Sequence, residues 1–169
     1  MAIYQRIIEW FSTNFKFVAV NGLSHLLMGM LIGTILYPFL SSNYQRRLNY
    51  TLFVFFPAVL GSIFPDLLFA ISTLVKSGGS LSWGYLLQHG GAIHSVFHRD
   101  IALALVVPTT VFLVIVFVYL INFIRYVISW GKTYNKIKLD ELPKGWLLIS
   151  SGLSLVGAVL HLLMDMMGF

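Results

Sequence analysis

Four apolar runs, each long enough to cross a bilayer, alternate with short polar joints along the chain. The first fourteen residues are different. Ile3, Ile7, Ile8, Trp10 and Phe11 recur on one side of a helical projection and Gln5, Arg6 and Glu9 on the other, so 1–14 reads as an amphipathic helix lying in the interface. The first span is expected over 15–40, with Gly22 and Gly33 permitting close helix approach. A polar joint at 41–49 carries Arg46 and Arg47. The second span follows at 50–75, where Pro57 and Pro65 each remove a backbone donor and predict kinks.

After the turn at 76–80, the stretch 81–100 is shorter and more polar and is broken at Gly90-Gly91. It reads as a re-entrant or short helical segment, tolerable at membrane depth only inside protein or beside a water-filled cavity. The third span, 101–124, has no ionisable residue and reads as a lipid-facing support. The polar connection 125–145 leads to the fourth span, 146–167. The expected fold class is therefore an all-α integral membrane protein. It has about four transmembrane helices, an N-terminal interfacial helix and the re-entrant segment, in a single domain covering 1–169.

Composition agrees with this pattern. The chain is 58% hydrophobic and 10% charged, with mean hydropathy +0.85, whereas soluble domains carry about 25% charged residues. The absence of cysteine excludes disulfides and thiolate metal sites. The net charge of +5 lies mostly in the joints, without a basic stripe interleaved with aromatics, which argues against nucleic acid. No cleavable signal peptide is expected, since Arg6 and Glu9 interrupt the start. Four spans place seven cations on one side (Arg46, Arg47, Arg125, Lys132, Lys136, Lys138, Lys144) and four on the other (Arg6, Lys16, Lys76, Arg99). The positive-inside rule then predicts that 125–145 is cytoplasmic and that both termini are outside, in a multi-pass membrane protein.

The candidate chemistry lies in the few ionisable residues inside apolar sequence, which are costly there and mark function by default. His25 is ten residues into the first span, Asp66 ten residues before Lys76, and His161 eight residues before the C-terminus. At helical rise these positions fall roughly 12–15 Å below one face. The segment 89–100, with His89, His94, Ser95, His98, Arg99 and Asp100, belongs to that same face. His161 and Asp165 are i, i+4 neighbours, as are His94 and His98, the spacing used by helical metal sites. Simpler readings exist for each residue. His25 can be an interhelical hydrogen-bonder, Asp66 a cap at a kink, His161–Asp165 a hydrogen-bonded pair and Asp100 the N-cap of the third span. One metal site explains most of them together. Nitrogen and oxygen donors without sulfur suit Zn²⁺, with Mn²⁺ or Fe²⁺ as alternatives.

At these residues the chain resembles the small membrane-bound metal-dependent hydrolases of bacteria and archaea. The resemblance rests on four motifs in order: Ser24-His25-Leu26-Leu27-Met28-Gly29, Leu60-Gly61-Ser62-Ile63-Phe64-Pro65-Asp66, His89-Gly90-Gly91-Ala92-Ile93-His94-Ser95 and His161-Leu162-Leu163-Met164-Asp165. Where the family carries a second Asp, an Arg and a Thr, this chain has Leu68, Gly90 and Ile93. The motif order is similar, more distantly, to the zinc-dependent phospholipases C. Together the residues and the resemblance imply a hydrolase acting on a phosphoester of a lipid or lipid-linked substrate. His25, Asp66, His94, His161 and Asp165 would be ligands, and His89 a ligand or a partner of one. His98 or Asp100 would be the general base, Arg99 would hold an anionic group, and Ser95 would donate a hydrogen bond. Other expectations compatible with the residues are a proton or divalent-metal transporter, a non-catalytic protein held together by metal, and a bis-histidine haem protein.

Overall fold

The computed structural model describes residues 22–76, 100–130 and 135–167. These form α1 (Gly22–Phe39, ending in a 3-10 turn at Tyr37–Phe39), α2 (Ser42–Gln45) and α3 (Arg47–Tyr50). Helix α3 runs through a π turn at Thr51–Phe55 into α4 (Phe56–Lys76); α5 (Ile101–Ile128) and α6 (Trp146–Met167) follow. The architecture is an all-α membrane protein. Four helical stretches, Gly22–Phe39, Arg47–Ser72, Ile101–Ile128 and Trp146–Met167, are long and apolar enough to cross a bilayer. The expected interfacial helix at 1–14 and the expected re-entrant segment at 81–100, apart from Asp100, lie outside the described residues.

Small residues, rather than large apolar ones, set the helix spacing. A Cβ on Gly157 of α6 would stand 2.7 Å from the Ala58 carbonyl oxygen of α4, and one on Gly61 2.6 Å from Ser154 Cα. A Cβ on Gly29 of α1 would fall 2.7 Å from Val59 Cα. In lipid, where apolar side chains gain nothing by meeting one another, this close backbone packing is what associates helices. Gly33 makes the expected close approach, to Phe55; among the described residues nothing lies within 4 Å of a Cβ on Gly22, and a further close approach belongs to Gly29.

Hydroxyls repair the backbone that the prolines interrupt. Pro57 cannot donate to the carbonyl of Phe53, four residues earlier, and the π turn ends here. Ser150 Oγ of α6 donates to that carbonyl at 3.0 Å. One turn on, Ser154 Oγ lies 3.1 Å from the Pro57 carbonyl and 2.8 Å from Thr110 Oγ1 of α5, whose own hydroxyl donates to Val106. Without water, each such group needs a partner inside the protein. Pro65, where a kink is expected, lies inside α4, and the helix continues through it.

Two apolar clusters fill the bundle. One joins Leu60 and Phe64 of α4 to Ala102 and Val106 of α5 and Ala158 of α6. The other, toward the opposite end, contains Tyr44, Phe53, Val54, Val114, Val118 and Leu153. Helix α5 therefore supplies core as well as a lipid-facing surface, on which Phe112 and Phe123 are exposed. It also runs four residues beyond its expected end at 124, because its last polar residues bond to the following chain. The Asn122 amide exchanges two hydrogen bonds with the Ile137 backbone, and Arg125 donates to Asn135.

Candidate metal centre

The close-packed glycines also aim the ionisable residues. His25 is four residues before Gly29 on α1, and His161 four residues after Gly157 on α6. Asp66 is four residues after Ser62, which Gly29 and Gly157 both contact. Residues four apart share a helix face. Each ionisable residue therefore stands one turn outward from the point where its helix touches its neighbour, and the three helices deliver them to one place.

There the imidazoles of His25 and His161 stack, with ring centroids 3.7 Å apart and planes inclined by 30°. Both rings are buried, at 1% and 0% exposure. His25 Nε2 lies 3.3 Å from Asp165 Oδ1, and His161 Nε2 lies 3.4 Å from Asp165 Oδ2. Asp66 Oδ1 of α4 is 3.7 Å from His161 Nε2. The carboxylates are the accessible side of the cluster, Asp165 at 22% and Asp66 at 40%.

The hydrogen bond on the far side of His161 fixes what its near side can do. His161 Nδ1 is 2.6 Å from the Ser62 carbonyl oxygen, which can only accept, so Nδ1 carries a proton. In the neutral ring, Nε2 then presents a lone pair toward two carboxylates. Lone pair against carboxylate is repulsive unless a proton or a metal cation sits between them. A histidine held through one nitrogen by a backbone carbonyl, with the other nitrogen facing acidic oxygens, is the usual setting of a metal ligand.

The spacing fits as well. Direct N–H···O bonds are about 2.7–3.2 Å long; these contacts are longer, at 3.3, 3.4 and 3.7 Å. Ligand atoms on a tetrahedral ion with bonds of about 2.0–2.1 Å stand roughly 3.3 Å apart. One donor atom each from His25, His161 and Asp165 lie within 4.8 Å of one another. Two neutral imidazoles and two carboxylates sum to a charge that a divalent cation cancels, which matters where unbalanced charge is expensive.

Of the ten residues singled out in the sequence, four converge here: His25, Asp66, His161 and Asp165. Asp66 stands at the rim rather than among the three most tightly grouped donors. Asp100 occupies the N-cap position of α5, but its side chain makes no capping hydrogen bond. His89, His94, Ser95, His98 and Arg99 lie outside the described residues. Sequence reasoning missed the Ser62 carbonyl, which any residue could supply, and the aiming role of Gly29 and Gly157, which was readable as glycines one turn from histidines. Comparison with known proteins returns no match, since no protein family, curated protein or solved structure is significantly similar to the chain.

Proposed function

We propose that the cluster binds a divalent metal, zinc in first place, and that the protein is a membrane-embedded metal-dependent hydrolase of a lipid or lipid-linked phosphoester. The observation that carries the metal is the His161 ring, donating through Nδ1 to Ser62 while its Nε2 faces Asp165 and Asp66. His25, His161 and Asp165 would hold the ion, and Asp66 would complete the set or accept a proton from water at its rim. When bound, the metal supplies a Lewis acid that makes water nucleophilic near neutral pH and stabilises charge on the attacked oxygen.

The choice of a hydrolase rests on access. A structural metal site is closed, whereas a catalytic one keeps an open position. Here the histidines are sealed and the carboxylate side is accessible. Asp66 lies ten residues before the end of α4, about 15 Å along the helix, a depth suited to a substrate arriving sideways from the lipid. A transporter is supported less, because beyond the cluster the described interior is filled by Phe53, Val54, Val114, Val118 and Leu153. The phosphoester comes from the motif resemblance, with His89, His94, Ser95, His98 and Arg99 as the further residues it assigns. The topology proposed with it has the site near the non-cytoplasmic face of the inner membrane.

The test is metal analysis of the protein purified without chelator, followed by turnover of a panel of lipid phosphates and phospholipids. Bound metal at a fixed ratio to the chain, with hydrolysis that chelation stops and zinc restores, is the expected result. A chain that takes up no divalent metal on reconstitution overturns the proposal. Bound metal without turnover across the panel overturns the hydrolase part and leaves a metal that holds three helices together.

A further inference from the structure

The end of the bundle opposite the metal cluster contains a cavity of about 290 Å³, bounded by the joint between α1 and α4 and by the residues leading into α6. Its walls are built, not incidental. Tyr44 is buried, and its hydroxyl lies 2.8 Å from the Lys144 carbonyl and 3.4 Å from that of Pro143, so one joint is clasped to the other. Burial pushes the Tyr44 phenol above its ordinary range, which keeps it a neutral donor. On the other wall Asn49 Nδ2 donates to the Asn43 carbonyl at 2.7 Å.

The charge of this cavity is net positive. Arg46, Lys144 and Glu141 line it. Glu141 is already engaged, 3.0 Å from Lys138 Nζ, and that hydrogen bond and charge hold the Lys138 ammonium above its usual value. The cations Arg46 and Lys144 remain, beside the polar side chains of Ser41 and Asn43. The volume lies at the low end of ligand pockets, roughly 300–1,000 Å³, enough for a headgroup but not for acyl chains. Tyr37 and Phe39 end α1 and Trp146 opens α6, where these spans meet the joints that bound the cavity, as aromatic residues at headgroup level do.

The geometry points to a second binding site here, for a phosphate anion, presented either by an anionic phospholipid headgroup or by free phosphate. The Arg46 guanidinium offers planar, multiple donors suited to phosphate oxygens, and Lys144 would add a point charge. The site is separate from the metal cluster and does not depend on it.

Lipid binding to the full chain in detergent, read by native mass spectrometry with phosphatidylglycerol and phosphatidylcholine as probes, tests this. Wild type is expected to prefer phosphatidylglycerol. Arg46→Gln with Lys144→Gln should weaken that binding about tenfold or more, while Lys136→Gln, at the same end but outside the cavity, should change it less than about twofold. Glu141→Gln removes the lining anion and should strengthen binding, a gain that misfolding cannot imitate. Displacement of the lipid by millimolar inorganic phosphate identifies free phosphate as the ligand, and resistance identifies the headgroup. Equal binding by wild type and the double variant, an equal loss in Lys136→Gln, or no gain in Glu141→Gln overturns the site.

Discussion

His25 and His161, on helices that are first and last among the described spans, stack at 3.7 Å and each approach a different oxygen of Asp165. One carboxylate facing the Nε2 atoms of two stacked imidazoles is an arrangement that a metal ion can close. Its members are 136 and 140 positions from His25 in the chain, at His161 and Asp165, so only helix packing unites them.

In the proposed metal centre, removing a central donor should abolish metal binding. His161→Ala and Asp165→Asn are each expected to lower affinity by well over the roughly 10–100-fold typical of losing a ligand's supporting partner. Metal content after dialysis, measured beside the melting temperature, checks this. Variants that keep full metal loading would show that the ion, if bound, lies elsewhere.

Asp66 should behave differently. It is the more exposed carboxylate and the longer contact, 3.7 Å from His161. Asp66→Asn is expected to keep most of the metal and to lose turnover, with kcat reduced about 10²-fold or more if the carboxylate accepts a proton. Measuring kcat and metal occupancy on the same preparation separates the two effects.

The packing contacts predict a contrast within one helix. Gly157→Val places methyl groups against the α4 backbone and should cost about 1–3 kcal/mol or more. It should also displace His161, one turn away, and so weaken metal binding. Gly152→Ala, where no described residue lies within 4 Å, should instead stabilise by up to about 1 kcal/mol through helix propensity. Thermal unfolding in detergent reads both. Equal effects at the two positions would contradict this account of the α4–α6 contact.

Ser150 and Pro57 form a testable pair. Ser150→Ala strands the Phe53 carbonyl and should cost on the order of 1 kcal/mol, as interhelical hydrogen bonds in membranes do. Pro57→Ala restores a backbone donor four residues from that carbonyl, so the serine substitution should cost less in that background. A double-mutant cycle with no coupling would mean that Ser150 does not serve the proline gap.

Hydropathy alone placed the spans, because a run of about 20 apolar residues has few other stable settings. It also placed the ionisable residues at a common depth, because helical rise converts sequence distance into depth. That was enough to associate His25, Asp66, His161 and Asp165 before any fold was known. It did not extend to azimuth. Depth says how far along a helix a residue lies, not which neighbour it faces, and lipid-facing and core-facing residues are equally apolar here. Gly22 and Gly29 look alike in sequence, yet among the described residues only Gly29 of the two meets another backbone. Tertiary packing decided that choice. The same packing set Asp66 at the rim while stacking the two histidines, and brought the Ser62 carbonyl onto His161 Nδ1, fixing which ring nitrogen faces the carboxylates.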